Sequence, residues 1–124
     1  MSPPGWPRDL PPVGSLEFDE RVVPWLLDRL PGDMRTSPLR RHPVALATYT
    51  THHLDGCLVG ARSAYARSRV ELGGVLEAAA VTEVLAALEA EGARLLQSRR
   101  ESALVLQALL ARPVVKGAEE GEPA

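Results

Sequence analysis

A short stretch in the middle of the chain holds the residues best suited to metal binding or nucleophilic chemistry: His52, His53, Asp55 and Cys57. His53 and Cys57 are four positions apart, so a helix would place them on one face. Imidazole and thiolate are both ligands that Zn²⁺ accepts. If the chain folds back near residues 73 and 74, Glu91 comes within reach as a third ligand. His53, Cys57 and Glu91 are therefore the metal-site candidates.

The alternative reading is an ordinary helix with exposed histidines and one small buried thiol. A zinc site needs three or four protein ligands, and only His53 and Cys57 have helical spacing that suits one. Nucleophilic catalysis would need a third group to orient the imidazole, and none is visible. No G-x-S-x-G, P-loop or dinucleotide-binding motif occurs. We expect no enzyme activity, cofactor or bound metal, and keep a ligand- or metal-binding regulator using His53 and Cys57 as the second hypothesis.

Gly56 and Gly60 form a G-x-x-x-G pattern on the helix face that continues from Tyr49 and His53. Glycine inside a helix costs about 1 kcal/mol relative to alanine, so a pair of glycines favours close approach of another backbone. The pattern is most informative in membrane helices, and in a water-soluble helix simple tolerance is the alternative. A second protomer is the neighbour that we consider.

The two ends of the chain lack periodic apolar residues. Residues 1–15 are rich in proline, and Pro4, Trp6 and Pro7 make a P-x-x-P element with an aromatic anchor. We expect an extended, unpaired and dispensable flexible tail that is either a spacer or a docking peptide for another protein. Residues 113–124 end in several glutamates and are predicted to be a flexible acidic tail.

The segment between the tails, residues 16–112, is predicted to be an all-α domain. Alanine and leucine dominate its apolar residues, while aromatics make up only 4% of the chain. We predict a short helix over about 24–30 that opens at Pro24, and two long helices over about 43–72 and 76–112. Gly73 and Gly74 should end the second helix in the left-handed conformation and turn the chain into a long antiparallel hairpin.

Apolar residues spaced alternately by three and four predict the seam of this hairpin. The residues expected in the core are Trp25, Leu54, Leu58, Tyr65, Leu72, Leu85, Leu88, Leu95 and Leu106. A tight turn would place Arg69 opposite Glu77 and Arg62 near Glu83. Residues 103–110 are apolar on nearly every side, so we expect the short helix with Trp25 to dock there.

Several apolar residues remain outside the seam, and a dimer could bury them as a four-helix bundle. The predicted interface consists of Tyr49, Gly56, Gly60, Val84, Leu96 and Leu109. Self-association as a homo-oligomeric interaction or scaffold module is therefore the first functional hypothesis.

Net charge and apolar run lengths argue against other partners. The net charge is −2, and no aromatic residues are interleaved with arginines for base stacking, so nucleic acid is an unlikely partner. The longest apolar run is far shorter than the ~20 residues needed to span a bilayer. Cys57 is the single cysteine, so an intramolecular disulfide is impossible. We expect a cytoplasmic protein without membrane contact.

Overall fold

A computed structural model describes residues 2–112, which fold into three α-helices and contain no β-strand. The helices are α1 (Leu16–Leu27), α2 (Pro43–Leu72) and α3 (Ala78–Leu110). Two short 3₁₀ turns join α1 to α2. α2 and α3 form the predicted antiparallel hairpin, and α1 packs at one end of it. The acidic segment 113–124 lies outside the described residues.

α1 begins eight residues before the predicted start at Pro24, so the predicted range of 24–30 is wrong. The Ser15 hydroxyl accepts a hydrogen bond from the Phe18 N–H (3.1 Å), which caps the helix. Glu17 and Asp19 in the first turn favour the positive end of the helix dipole. Pro24 lies inside the helix and has no N–H, so the carbonyl of Glu20 lacks its helical hydrogen bond. Glu20 is exposed, and solvent can hydrogen-bond to that carbonyl instead.

The docking of α1 builds the main core. Phe18, Val22, Trp25 and Leu26 recur with helical spacing and make one apolar face. That face packs on the start of α2 and the end of α3, as predicted from the apolar surplus of residues 103–110. The buried cluster contains Leu10, Phe18, Val22, Trp25, Leu26, Leu27, Leu30, Leu46, Ala47, Val105 and Leu109.

The N-terminal segment differs from the expectation of an unpaired tail, because it closes this core. Leu10 is only 4% exposed, and Pro7 is buried. The Trp6 indole N–H donates to the Leu10 carbonyl (3.0 Å), and its ring lies 6.0 Å from the Phe18 ring. The prolines do prevent regular secondary structure, but the apolar residues between them still pack.

Arg29 ties the N-terminal segment, α1 and α3 together. Its guanidinium lies 3.4 Å from the centre of the Trp25 ring and donates to the Trp25 carbonyl (2.7 Å). Asp9 accepts a hydrogen bond from the Trp25 indole (2.9 Å) and lies 4.0 Å from Arg29, while Glu101 lies 3.8 Å from Arg29. Burial lowers the pKa of Arg29, and these carboxylates oppose that effect.

The connection between α2 and α3 is longer than a two-glycine turn. It covers residues 73–77, and the N–H groups of Val75 and Leu76 both bond to the Leu72 carbonyl. Gly73 is right-handed (φ −61°), which corrects the expected left-handed cap. Glycine is required there because a Cβ would lie 2.6 Å from the Arg69 carbonyl oxygen.

The longer connection shifts the pairing of the two helices, so the expected pairs Arg69–Glu77 and Arg62–Glu83 do not form. An ion pair between Arg99 Nε and Asp55 Oδ1 (2.7 Å) joins the helices instead. Arg62 and Gly92, each seven residues closer to the turn than this ion pair, line one groove. Arg69 and Leu85, each seven residues closer again, line another groove. The ion pair and the two grooves show which parts of α2 and α3 lie side by side.

Beyond the reach of α1, the described residues of the hairpin form only two helices and their connection, residues 58–92, which we call the arm. The rest of residues 2–112 is the base. A smaller cluster of Leu54, Leu58 and Leu95 continues the seam from the base into the arm. A two-helix seam encloses only the residues at its centre, and this explains how the predicted core residues are placed.

The predicted core residues divide into three groups. Buried are Trp25, Leu54, Leu58, Leu85 and Leu95. Half-buried are Leu72, Leu88 and Leu106. Tyr65 does not belong to the core, because it is 40% exposed. It lines a groove with Leu88 and Gly92, and no residue of α1 lines that groove.

We predict that two identical substitutions on α1 have very different effects. Leu26→Ala removes a fully buried side chain and should lower the free energy of unfolding by about 2–5 kcal/mol. Leu16→Ala is the matched control, since Leu16 is 77% exposed and the change should stay within about 0.5 kcal/mol. Urea denaturation measures both. Similar shifts would contradict the docking of α1.

We also predict that the proline-rich segment stabilises the fold. Leu10→Ala should lower the free energy of unfolding by about 2 kcal/mol or more, because Leu10 is buried in the main core. Arg8→Ala, two residues away and exposed, should be nearly silent. Thermal melts followed by circular dichroism compare the two. Equal effects would restore the expectation of a dispensable tail.

Candidate functional site

The arm has open, partly apolar grooves on both sides of its seam. Tyr65 lines one groove and is 40% exposed, and Leu76 lines another and is 37% exposed. Apolar side chains gathered in a groove mark interaction sites more strongly than scattered ones do. In the base, α1 covers one side of the hairpin. The grooves along the arm are therefore the candidate sites for a partner.

The tyrosine groove has a volume of about 360 Å³ and is lined by Ala61, Arg62, Tyr65, Leu88, Glu89 and Gly92. Its floor is apolar, because Ala61 and Leu88 lie in the seam. Gly92 contributes no side chain to the lining. Arg62 on α2 and Glu89 on α3 form the two opposite rims. The groove thus combines an aromatic ring, an apolar floor and one charge of each sign.

The tip groove continues along the same seam towards the turn and has a volume of about 330 Å³. It is lined by Arg69, Gly73, Leu76, Ala78, Val81, Thr82 and Leu85. Leu76 is 37% exposed, while Val81 and Leu85 are buried in the seam below it. Arg69 stands on the α2 rim, as Arg62 does in the tyrosine groove. Both grooves therefore have their arginine on the same helix.

The cysteine groove lies on the other side of the seam and has a volume of about 530 Å³. Ala61 and Leu88 line it as well as the tyrosine groove, so the two grooves flank the seam. Asp28, Arg29 and Leu30 close the end nearest α1. His53, Cys57 and Glu91, the three metal-site candidates, all line this groove.

The three candidate ligands share a groove but do not form a ligand set. His53 Nε2 lies 3.4 Å from Cys57 Sγ. Glu91 is engaged elsewhere, since Arg94 donates to both of its carboxylate oxygens (2.9 and 2.5 Å). Within residues 2–112 no three His, Cys, Asp or Glu side chains are placed to hold a metal ion. A metal at this position would have to break the Glu91–Arg94 pair.

The predicted interface residues are scattered over the surface rather than gathered into one patch. Leu109 is 6% exposed within the main core, so it is unavailable to a partner, and Leu96 is half-buried beside Leu95. Val84 is also half-buried. Tyr49, Gly56 and Gly60 are exposed, and a Cβ on either glycine would meet nothing within 4 Å. No neighbouring backbone within the described part of the chain therefore explains the two glycines.

Sequence reasoning missed the rim residues that the structure brings together. Arg62 and Glu89 face one groove because the connection is five residues long, and no sequence signal measured that length. Glu77 does precede α3 as an extended N-cap residue (φ −69°, ψ 158°). A helix start at Ala78 rather than residue 76 would have shifted the register in the correct direction.

No family model, curated protein or solved structure matched this chain. Among residues 2–112, no helix combines the length and apolar character needed to cross a membrane.

We predict that the Glu91–Arg94 pair governs the ionisation of Glu91. Hydrogen bonds from Arg94 hold the pKa of Glu91 below its ordinary value. Arg94→Gln should raise the pKa of Glu91. In the wild type, the pair stabilises the fold at pH values above the ordinary pKa of a glutamate, and this stabilisation is lost as the pH falls through the lowered pKa of Glu91. Carboxyl NMR titration measures it, with Arg67→Gln as the control. An unchanged Glu91 pKa in Arg94→Gln would contradict the geometry.

Proposed function

We propose that this protein is a non-catalytic interaction module whose helical arm self-associates. The observation that carries the proposal is Tyr65: an aromatic side chain at a seam position of α2 that is 40% exposed, because no third helix covers it within residues 2–112. A second copy would cover the tyrosine and tip grooves and complete a four-helix bundle.

The position of α1 also supports the choice of face. The residues of α1 and those that directly follow it cover one side of the hairpin, where the cysteine groove begins. None of them lines the tyrosine or tip groove. The side of the hairpin carrying these two grooves, which we call the open face, is accessible along the whole arm. A partner docking there would meet no part of α1.

A catalytic or metal-binding role for the cysteine groove has weaker support. His53 makes its side-chain hydrogen-bond contact with Cys57, and no carboxylate within residues 2–112 orients the imidazole. Glu91 is paired with Arg94. Nucleophilic catalysis depends on an oriented base, and zinc depends on three or more ligands. We therefore place the protein's function on the arm rather than at Cys57.

We predict that the full-length protein is a dimer at tens of micromolar, with twice the 13.4 kDa mass of the chain. Two tyrosines on α2 provide a matched test, because Tyr65 and Tyr49 are 40% and 39% exposed. Tyr65→Asp should convert the protein to a monomer, since it places a charge on the open face. Tyr49 lies beside His53, which lines the cysteine groove and not the open face. Tyr49→Asp should therefore leave the dimer intact.

Light scattering coupled to size-exclusion chromatography measures the molecular mass of the wild type and of both variants. A wild-type monomer at these concentrations would overturn the proposed self-association. A dimer that survives Tyr65→Asp but is lost in Tyr49→Asp would move the interface to the predicted patch of Tyr49, Gly56 and Gly60.

A further inference from the structure

We infer that the partner on the open face is a second copy of this chain, related by a two-fold axis parallel to the hairpin, so that α2 of each copy lies on α3 of the other. This inference rests on the proposed self-association and adds its orientation. It is carried by the distribution of charge on the open face, where the arginines lie on α2 and the glutamate on α3.

The register of the hairpin places these charges at matching heights. Arg62 and Glu89 line the same groove, so they lie at similar heights along the hairpin. Rotation by 180° about an axis parallel to the helices keeps every height unchanged but exchanges left and right. Arg62 then meets the partner's Glu89, and Glu89 meets the partner's Arg62. The same contact therefore forms twice.

Within the described residues, the charges on these rims form no ion pairs. Among residues 2–112, no carboxylate lies within 4.0 Å of the Arg62 or Arg69 side-chain nitrogens, and Glu89 makes no ion pair. Arg67, by contrast, is paired with Glu71 on its own helix. The open face thus presents unpaired charges of both signs that a second copy complements.

The other two-fold arrangement of the same faces is disfavoured by the same charges. An axis perpendicular to the helices would place α2 on α2 and α3 on α3. Arg62 and Arg69 of one copy would then face α2 of the other copy, which carries the same arginines, and no contact between Arg62 and Glu89 would form. Like charges across an interface raise the free energy of the wrong arrangement and so select the right one. The preferred arrangement also makes all neighbouring helices antiparallel, as in simple four-helix bundles.

Charge reversal of two single residues tests this orientation in the full chain. Arg62→Glu and Glu89→Arg should each weaken homodimerisation about tenfold, because each creates two like-charge contacts. An equimolar mixture should form a heterodimer with about the wild-type affinity, since both contacts then pair opposite charges. Arg67→Glu is the control and should dimerise as the wild type does. Analytical ultracentrifugation with one variant fluorescently labelled measures each affinity.

The outcomes separate the orientation from the function. A wild-type dimer whose affinity is unchanged by Arg62→Glu and Glu89→Arg would overturn the orientation while the proposed self-association stands. A mixture no tighter than the separate variants would overturn it as well. A monomeric wild type would overturn both. Restored affinity in the mixture supports the orientation and shows that each variant is folded, because an unfolded chain would not be rescued.

Discussion

Two antiparallel helices bury only the seam between them, and the structure of this protein depends on how far a third element covers that seam. In the base, α1 lies against both long helices and buries Phe18, Leu26 and Val105 completely. In the arm no such element is present among the described residues, and Tyr65 remains exposed at a seam position. One constraint therefore divides the molecule into a self-sufficient base and an arm that offers surface to a partner.

The base is held by packing, with charged groups placed around its edge. Arg29 shows how charge is accommodated there. It stacks on Trp25 and lies near Asp9 and Glu101, and these three partners come from three different parts of the chain. Burial disfavours its charge, and the surrounding carboxylates and the aromatic ring offset that cost. The arrangement positions the N-terminal segment over α1. The proline-rich N-terminal segment is therefore non-helical but packed against α1, and it is not a free tail.

The sequence predicted the long helices well and the parts that depend on distant contacts poorly. α2 was predicted over the observed Pro43–Leu72, since a helix-opening proline and a terminal glycine mark it locally. The start of α1 is marked by the Ser15 cap, while Pro24 within the helix resembles a first-turn proline and points to a later start. His53, Cys57 and Glu91 line one groove, as the fold-back of the hairpin implies, but they do not form the proposed ligand set. The sequence does not predict the rims formed by Arg62 and Glu89, because they depend on the length of the connection at residues 73–77.

Amide hydrogen exchange at increasing protein concentration tests the division into base and arm most directly. Slow exchange reports burial and stable hydrogen bonding of each helical segment. Our account predicts that α1 and the adjoining ends of α2 and α3 are protected at every concentration. Residues 58–72 and 78–92 should exchange faster at low concentration and become protected as the protein associates. Equal protection of arm and base, independent of concentration, would contradict it.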